Sequence, residues 1–263
     1  MCLNGWGGKE YARLLPYLAK SQPDILCLQE VVHTPNAPGP WLEYRDGDHI
    51  LPQRAQFFAD VCAVLPDHVA QFCPAAQGVL WNGDTEFASQ WGLATFVHRR
   101  HTIIGQIQGF VHKDFGPNGY GDHPRSRSAH GVRIWDFDAG RGLSVVHMHG
   151  LRDLEGKGDT PQRAKQAEKF ADMTTRLAQP GDGIVACGDF NVLPGSATFD
   201  VLGRIGLKDL VIGRGFETTR TQLYQKPAKF ADYLLVNDVL HDAPFTVVHD
   251  PVVSDHCPLV VTV

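Results

Sequence analysis

Ile184-Val185-Ala186-Cys187-Gly188-Asp189-Phe190-Asn191 is the stretch on which the reading of this 263-residue chain depends. Its β-branched and small apolar residues and its cysteine read as a short buried strand ending at Gly188. A carboxylate, an aromatic ring and a carboxamide follow at once, and Pro194-Gly195 stops the strand from continuing. Asp189 and Asn191 are two apart, so extended backbone would turn both to one side and Phe190 to the other. A strand ending in an acid and an amide presents polar groups at the rim of a sheet, where ligands are bound. The plainer alternative is an Asx-rich turn closing the strand.

Immediately upstream, Asp159-Thr160-Pro161 has the form of a helix start, a capping side chain followed by proline. That helix is expected to bury Ala167, Phe170, Ala171, Thr174 and Leu177 and to close at Gly181. Arg163 and Gln166, in its first turns, are expected on solvated surface. Residues 132–137 and 143–149 read as strands around a turn. In the second, Leu143, Val145, His147 and His149 share a face. His147 is read as a core histidine, while His149 stands at the strand's end, as Asp189 does. Downstream, Ser196 caps a short helix with Phe199 and Leu202. A strand over 231–236 begins near Asp232, and Ser254-Asp255-His256 precedes a final strand over 259–263.

The first half has the same rhythm. Met1-Cys2-Leu3-Asn4 resembles the end of a strand, so an upstream start for the natural chain is expected. Tyr11, Leu14, Leu15 and Leu18 form one helical stripe, interrupted by Pro16, which should kink the helix or delay its start. Residues 25–28 make a buried strand ending in Gln29-Glu30. Residues 33–52, with their prolines, read as an irregular loop, and 53–65 as an amphipathic helix. Residues 91–97 and 102–110 read as paired strands. The long loop 112–128 carries Arg125 and Arg127, and loops of that length more often serve a site than merely connect. Two readings stand for this loop: at least one of the two arginines reaches a phosphate oxygen, or, slightly favoured, both lie on a solvated surface.

Composition sets bounds. Hydrophobic residues make up 43% and charged residues 20% of the chain, as in a soluble globular protein. A net charge of -5 argues against a broad basic surface for long duplex nucleic acid. None of the six cysteines is spaced as C-x-x-C, and no apolar run is long enough to anchor the chain in a membrane. The expectation is a single domain over residues 1–263, in the cytoplasm, with the oligomeric state open.

Glu30, Asp189, Asp232 and Asp255 all lie at the edges of apolar strands, beside Asn4, Asn191, His149 and His256. Converging carboxylates repel one another unless a cation or a histidinium offsets them, and oxygen ligands without cysteine favour Mg2+ or Mn2+ over zinc. Such an ion beside a base equips a site for attack of water on a phosphate ester. No P-loop, no dinucleotide-binding glycine motif and no G-x-S-x-G elbow competes with that chemistry.

In order, Asn4, Leu28-Gln29-Glu30, Val146-His147-Met148-His149, Gly188-Asp189-Phe190-Asn191, Ala231-Asp232-Tyr233 and Ser254-Asp255-His256 resemble the endonuclease/exonuclease/phosphatase (DNase I-like) superfamily. The resemblance runs from residue 4 to 263. It implies an α+β fold, a four-layer α/β/β/α sandwich of two packed mixed sheets with the site at one rim. It implies a metal on Glu30, with Asn4 near it and Asp255 a further ligand. Asp189 would orient or deprotonate the attacking water, Asn191 contact phosphate or water, and His256 hold the phosphate with Asp232 orienting it. His149 matches the family's other active-site histidine. The substrate class stays open between nucleic acid, a phospholipid head group and a small phosphate ester. The rival reading is a catalytically silent member that binds a phosphorylated ligand as a scaffold. Two departures stand out. H-M-H-G replaces a usual pattern with asparagine, threonine and, after the histidine, leucine. Gly5-Trp6-Gly7 after Asn4 is closer to the neutral sphingomyelinase-like branch than to the abasic-site endonucleases.

Overall fold

Alternation in the first two strands separates the layers. The structure, a computed structural model, describes residues 1–153 and 155–263. In β1 (Cys2–Asn4) and β2 (Ile25–His33), successive side chains leave opposite faces of the sheet. Cys2, Ile25 and Cys27 enter the core between the sheets, whereas Leu3, Leu26 and Leu28 enter a second one outside. Helix α1 (Tyr11–Ser21) closes that outer core with Leu14, Leu15 and Leu18, and α2 (Phe57–Val64) adds Phe57 and Val61. β3 (Trp41–Asp46), β4 (His49–Arg54), β5 (His68–Asn82) and β6 (Thr85–His98) extend this sheet.

The second sheet is built from β7 (Thr102–His112), β8 (Arg127–Asp136), β9 (Arg141–His149), β10 (Gly183–Asp189), β11 (Lys208–Asp209) and β12 (Asp232–Val236). β13 (Phe245–Val247) and β14 (Leu259–Val261) return to the first. The orders are β13-β14-β1-β2-β6-β5-β3-β4 and β11-β12-β10-β9-β8-β7. Both sheets are mixed, since β1 and β2 are parallel, as are β9 and β10, among antiparallel neighbours. Helix α3 (Pro161–Leu177) covers the second sheet with Phe170, Ala171, Met173 and Leu177, and α4 (Ala197–Gly203) packs beside it. The result is the four-layer α/β/β/α sandwich. Among the described residues no helix is long and apolar enough to cross a membrane.

Several expectations fail here. The 33–52 segment is not an irregular loop but holds the β3–β4 hairpin, turned at Gly47 with φ 57°. Its Pro52 is tolerated because β4 is the sheet's edge, where a missing donor costs nothing. The helix expected from residue 53 starts at Phe57, because Gln53 and Arg54 belong to β4. β6 and β7 do not pair. β6 is flanked on both sides by β2 and β5, so residues 99–101 carry the chain into the other sheet. Pro16 lies inside α1 without delaying its start, on an exposed face of the helix. Arg163 and Gln166 are not solvated; they are 1% and 0% exposed. α3 begins above Leu151, Gly156 and Gly158: Arg163 donates to the carbonyls of all three, while Gln166 accepts from Leu151 N.

Candidate active site

Strand register alone gathers three of the expected residues. Parallel pairing sets Asp189 beside His149, and antiparallel pairing sets it beside Asp232 on the other flank. From the facing sheet, β1 ends at Asn4, and the β2 ladder slips between Leu28 and Val31. Within that slip Glu30 adopts φ 55°, a left-handed conformation that a non-glycine residue keeps only where its surroundings impose it. Asn4 Nδ2 then donates both to Glu30 Oε1 at 3.2 Å and to Asp189 Oδ2 at 3.0 Å. One carboxamide thereby joins the two sheets at their common rim.

Residues 254–256 come in before β14. Ser254 Oγ donates to the Asn4 carbonyl at 2.7 Å, which pins this segment against β1. His256 Nδ1 lies 2.8 Å from both Asp232 oxygens, and its Nε2 stands 3.7 Å from Asp189 Oδ2 and 3.8 Å from Asp255 Oδ1. Asp189, Asp232 and His256 hold ligand atoms within 4.8 Å of one another, all buried. His149 Nε2 lies 3.7 Å from Asp189 Oδ2, and its Nδ1 is buried without a partner among the described residues.

Gly188 and Asn191 bring the end of β10 into this arrangement. Gly188 has φ 143°, and a Cβ there would collide with the Met148 carbonyl oxygen. Asn191 corrects the expectation of extended backbone, because its φ is 54°. Its amide N donates to Asp189 Oδ1 at 3.1 Å, closing a tight turn, and its Nδ2 faces the Gly150 carbonyl at 3.4 Å. Gly150, where the resemblance leads one to expect leucine, is required locally, since a Cβ would overlap the Phe190 carbonyl.

The charges are unevenly placed. Burial works against the Asp189 carboxylate, but His256, His149, Arg220 and Lys157 outweigh it and hold its pKa well below the usual carboxylate range. Burial also opposes a charge on His256, yet the Asp232 carboxylate raises its pKa above the ordinary value. His149, desolvated and beside Arg127, is pushed down to about 3 and is neutral at pH 7. The Glu30 carboxyl is raised by burial, with Asp255 and Asp189 adding to the effect against the opposing pull of His256.

The two arginines part company. Arg127, 5% exposed, donates to the carbonyls of Gly150 and Ser126 and lies 5.0 Å from the Trp91 ring centre, and Trp91 packs on His149. Arg125 is instead engaged by Asp46 and Tyr44, outside the acid cluster. Three residues escaped the sequence reading. Arg220 pairs with Asp255 at 3.2 Å, touches His256 Nε2 and lies over Tyr224. Lys157 reaches the Phe230 carbonyl near Asp189, and Trp91 is the third. The two cations come from loops without periodicity, so no sequence signal marks them.

A family model described as the endonuclease/exonuclease/phosphatase family matches residues 1–256. No curated protein matches the chain. Among solved structures, an endonuclease/exonuclease/phosphatase from Bacteroides vulgatus is similar, at 16% identity and TM-score 0.61 over 97% of this chain and 90% of its own. A mannosyl-6-phosphatase of Bacteroides thetaiotaomicron is 16% identical, with TM-score 0.62 over 98% and 91%. TDP2 of D. rerio, complexed with single-strand DNA product, is 14% identical, with TM-score 0.58 over 98% and 95%.

Proposed function

The chain belongs to the endonuclease/exonuclease/phosphatase family, and from that membership we propose that it is a Mg2+- or Mn2+-dependent hydrolase of phosphate esters, with phosphodiesters favoured. The observation that carries this reading is the convergence of Glu30, Asp189 and the Asp232–His256 pair on one rim, with Asn4 donating to both Glu30 and Asp189. The named neighbours, a phosphatase and a DNA-product complex, bracket the substrate class without selecting within it.

Asp189 orients the attacking water. Its depressed pKa makes it a weak early base, so it takes the water's proton as attack proceeds. His256, whose cationic form Asp232 favours, is assigned to the phosphate oxygens, and neutral His149 lies on the other side of Asp189. Asn191 and Arg127 are assigned to substrate. Arg125 is withdrawn from that role, because Asp46 and Tyr44 occupy it. Glu30 would hold the metal ion, with Asn4 and Asp255 beside it. The crowding that raises the Glu30 carboxyl's pKa fits a cation site, and a bound ion would supply positive charge to the phosphate. We treat residues 1–263 as one catalytic domain, because both sheets furnish the rim. The six unpaired cysteines accord with the reducing cytoplasm.

A panel of chromogenic phosphodiester and phosphomonoester, single-stranded DNA and phospholipid substrates tests the proposal with magnesium and with a chelator. Magnesium-dependent turnover of at least one class is expected, and the ion should also raise the melting temperature. Binding of phosphate esters with no turnover of any class would leave the scaffold reading standing.

A further inference from the structure

His147, in the H-M-H-G segment where the resemblance leads one to expect asparagine, has no part in the proposed chemistry. His147 is fully buried between the sheets, with both ring nitrogens engaged. Gln29 Nε2 lies 3.1 Å from its Nδ1, and Thr95 Oγ1 lies 2.8 Å from its Nε2. Thr95 Oγ1 also lies 2.7 Å from His130 Nδ1. Gln29 and Thr95 belong to the first sheet and His147 and His130 to the second, so every one of these bonds crosses between the sheets.

The donors fix the direction of the chain. Gln29 Nε2 also donates to the Cys27 carbonyl at 3.2 Å, a group that can only accept, so the carboxamide's orientation is set. His147 Nδ1 must then accept, which puts the ring's proton on Nε2, facing Thr95. The threonine hydroxyl accepts that proton and directs its own to His130 Nδ1. Both rings are therefore neutral and protonated on Nε2. Burial pushes His147 well below its ordinary pKa, and His130 down to about 4, which agrees with this.

Gln29 immediately precedes Glu30, the residue held at φ 55° inside the β2 slip. A left-handed glutamate needs flanking residues that over-determine it. On one side Asn4 holds its carboxylate; on the other, Gln29 is tied across the interface to β9, the strand that ends at His149.

We propose that His147 is a positioning residue, which through Gln29 fixes where the Glu30 carboxylate stands relative to Asp189 and His149. The inference rests on the reading of Glu30 as the holder of the metal ion. An asparagine at 147 places its side-chain carbonyl where Nδ1 now lies and so keeps the Gln29 bond while losing the Thr95 bond. A leucine fills the volume but offers no acceptor. A packing role favours leucine over asparagine; a positioning role favours the reverse.

Magnesium affinity of the wild type, His147→Leu, His147→Asn and Glu30→Gln, measured by calorimetry, tests the inference. His147→Leu should weaken binding about tenfold or more, whereas His147→Asn should stay within about threefold of wild type. Glu30→Gln should weaken binding at least as much as His147→Leu does. Normal affinity in His147→Leu, or equal losses in the leucine and asparagine variants, overturns the positioning role. Normal affinity in Glu30→Gln instead removes the metal assignment beneath it. If His147→Leu does not fold, imidazole nitrogen resonances of the wild-type protein decide. Protonated Nε2 and bare Nδ1 in both His147 and His130 at pH 7 are expected, and an Nδ1–H tautomer or imidazolium at His147 overturns the inference.

Discussion

A single ring nitrogen of His256 meets both Asp232 oxygens at 2.8 Å, and under the proposed function the two residues therefore act as one unit. The pairing fixes the ring's orientation and leaves Nε2 facing Asp189, so removing either partner disables the same group. Asp232→Asn should therefore lose on the order of a hundredfold in turnover while still binding magnesium. The double variant with His256→Ala should be little worse than His256→Ala alone. Steady-state kinetics over the four proteins checks this, and fully additive losses would show two independent contributions. At this scale the sequence was informative for acids and amides at strand ends. Asn4, Glu30, His149, Asp189, Asp232, Asp255 and His256 all close or open an apolar run, and they reach one rim. Arg220 and Lys157 were invisible because their positions depend on loop paths that no periodicity encodes. Arg125 and Arg127 looked alike in sequence, yet only Arg127 is the first residue of a strand and is turned inward.

Elements near the site tolerate little change. Gly188 has φ 143° with no room for a Cβ against Met148, so Gly188→Ala should cost about 2 kcal/mol or more, read from denaturant unfolding. At the far end of β10, Asp182 ties the strand to β8 and β9. It accepts from Arg133 Nε at 2.7 Å and Nη2 at 2.8 Å, and from Ser144 Oγ at 3.0 Å. Burial opposes its charge, but Arg133 and the hydrogen bonds together hold its pKa below the ordinary value. A carboxyl depressed in the folded state stabilises fully above its unfolded pKa and loses that contribution as pH falls through the folded value. Asp182→Asn should thus cost about 2 kcal/mol at pH 7, with the gap to wild type shrinking below about pH 4. A gap that stays constant down to pH 2 in thermal melts contradicts the ion-pair account. The elements misread from sequence share one cause, which is tertiary context. Pro52 is acceptable only because its strand is an edge, β6 and β7 are adjacent in the chain yet in different sheets, and Arg163 is buried only because a loop folds beneath α3.

For the molecule as a whole, neither sheet contains the site. The first contributes Asn4 and Glu30, the second His149, Asp189 and Asp232, and the Asn4 carboxamide, bonded to both Glu30 and Asp189, binds them together. The layered architecture was legible only through the family resemblance, which six motifs in a fixed order over the chain carry. The bonds across the interface were not legible, since they join residues as far apart as Asn4 and Asp189. The central claim is that this shared rim hydrolyses phosphate esters with Asp189 orienting the water. It is tested most directly by magnesium-dependent hydrolysis of a chromogenic phosphodiester by wild type and Asp189→Asn, with magnesium binding measured on both. The account predicts a loss of about a thousandfold or more in turnover with the fold intact and the ion still bound. Turnover by Asp189→Asn within a few fold of wild type would contradict it.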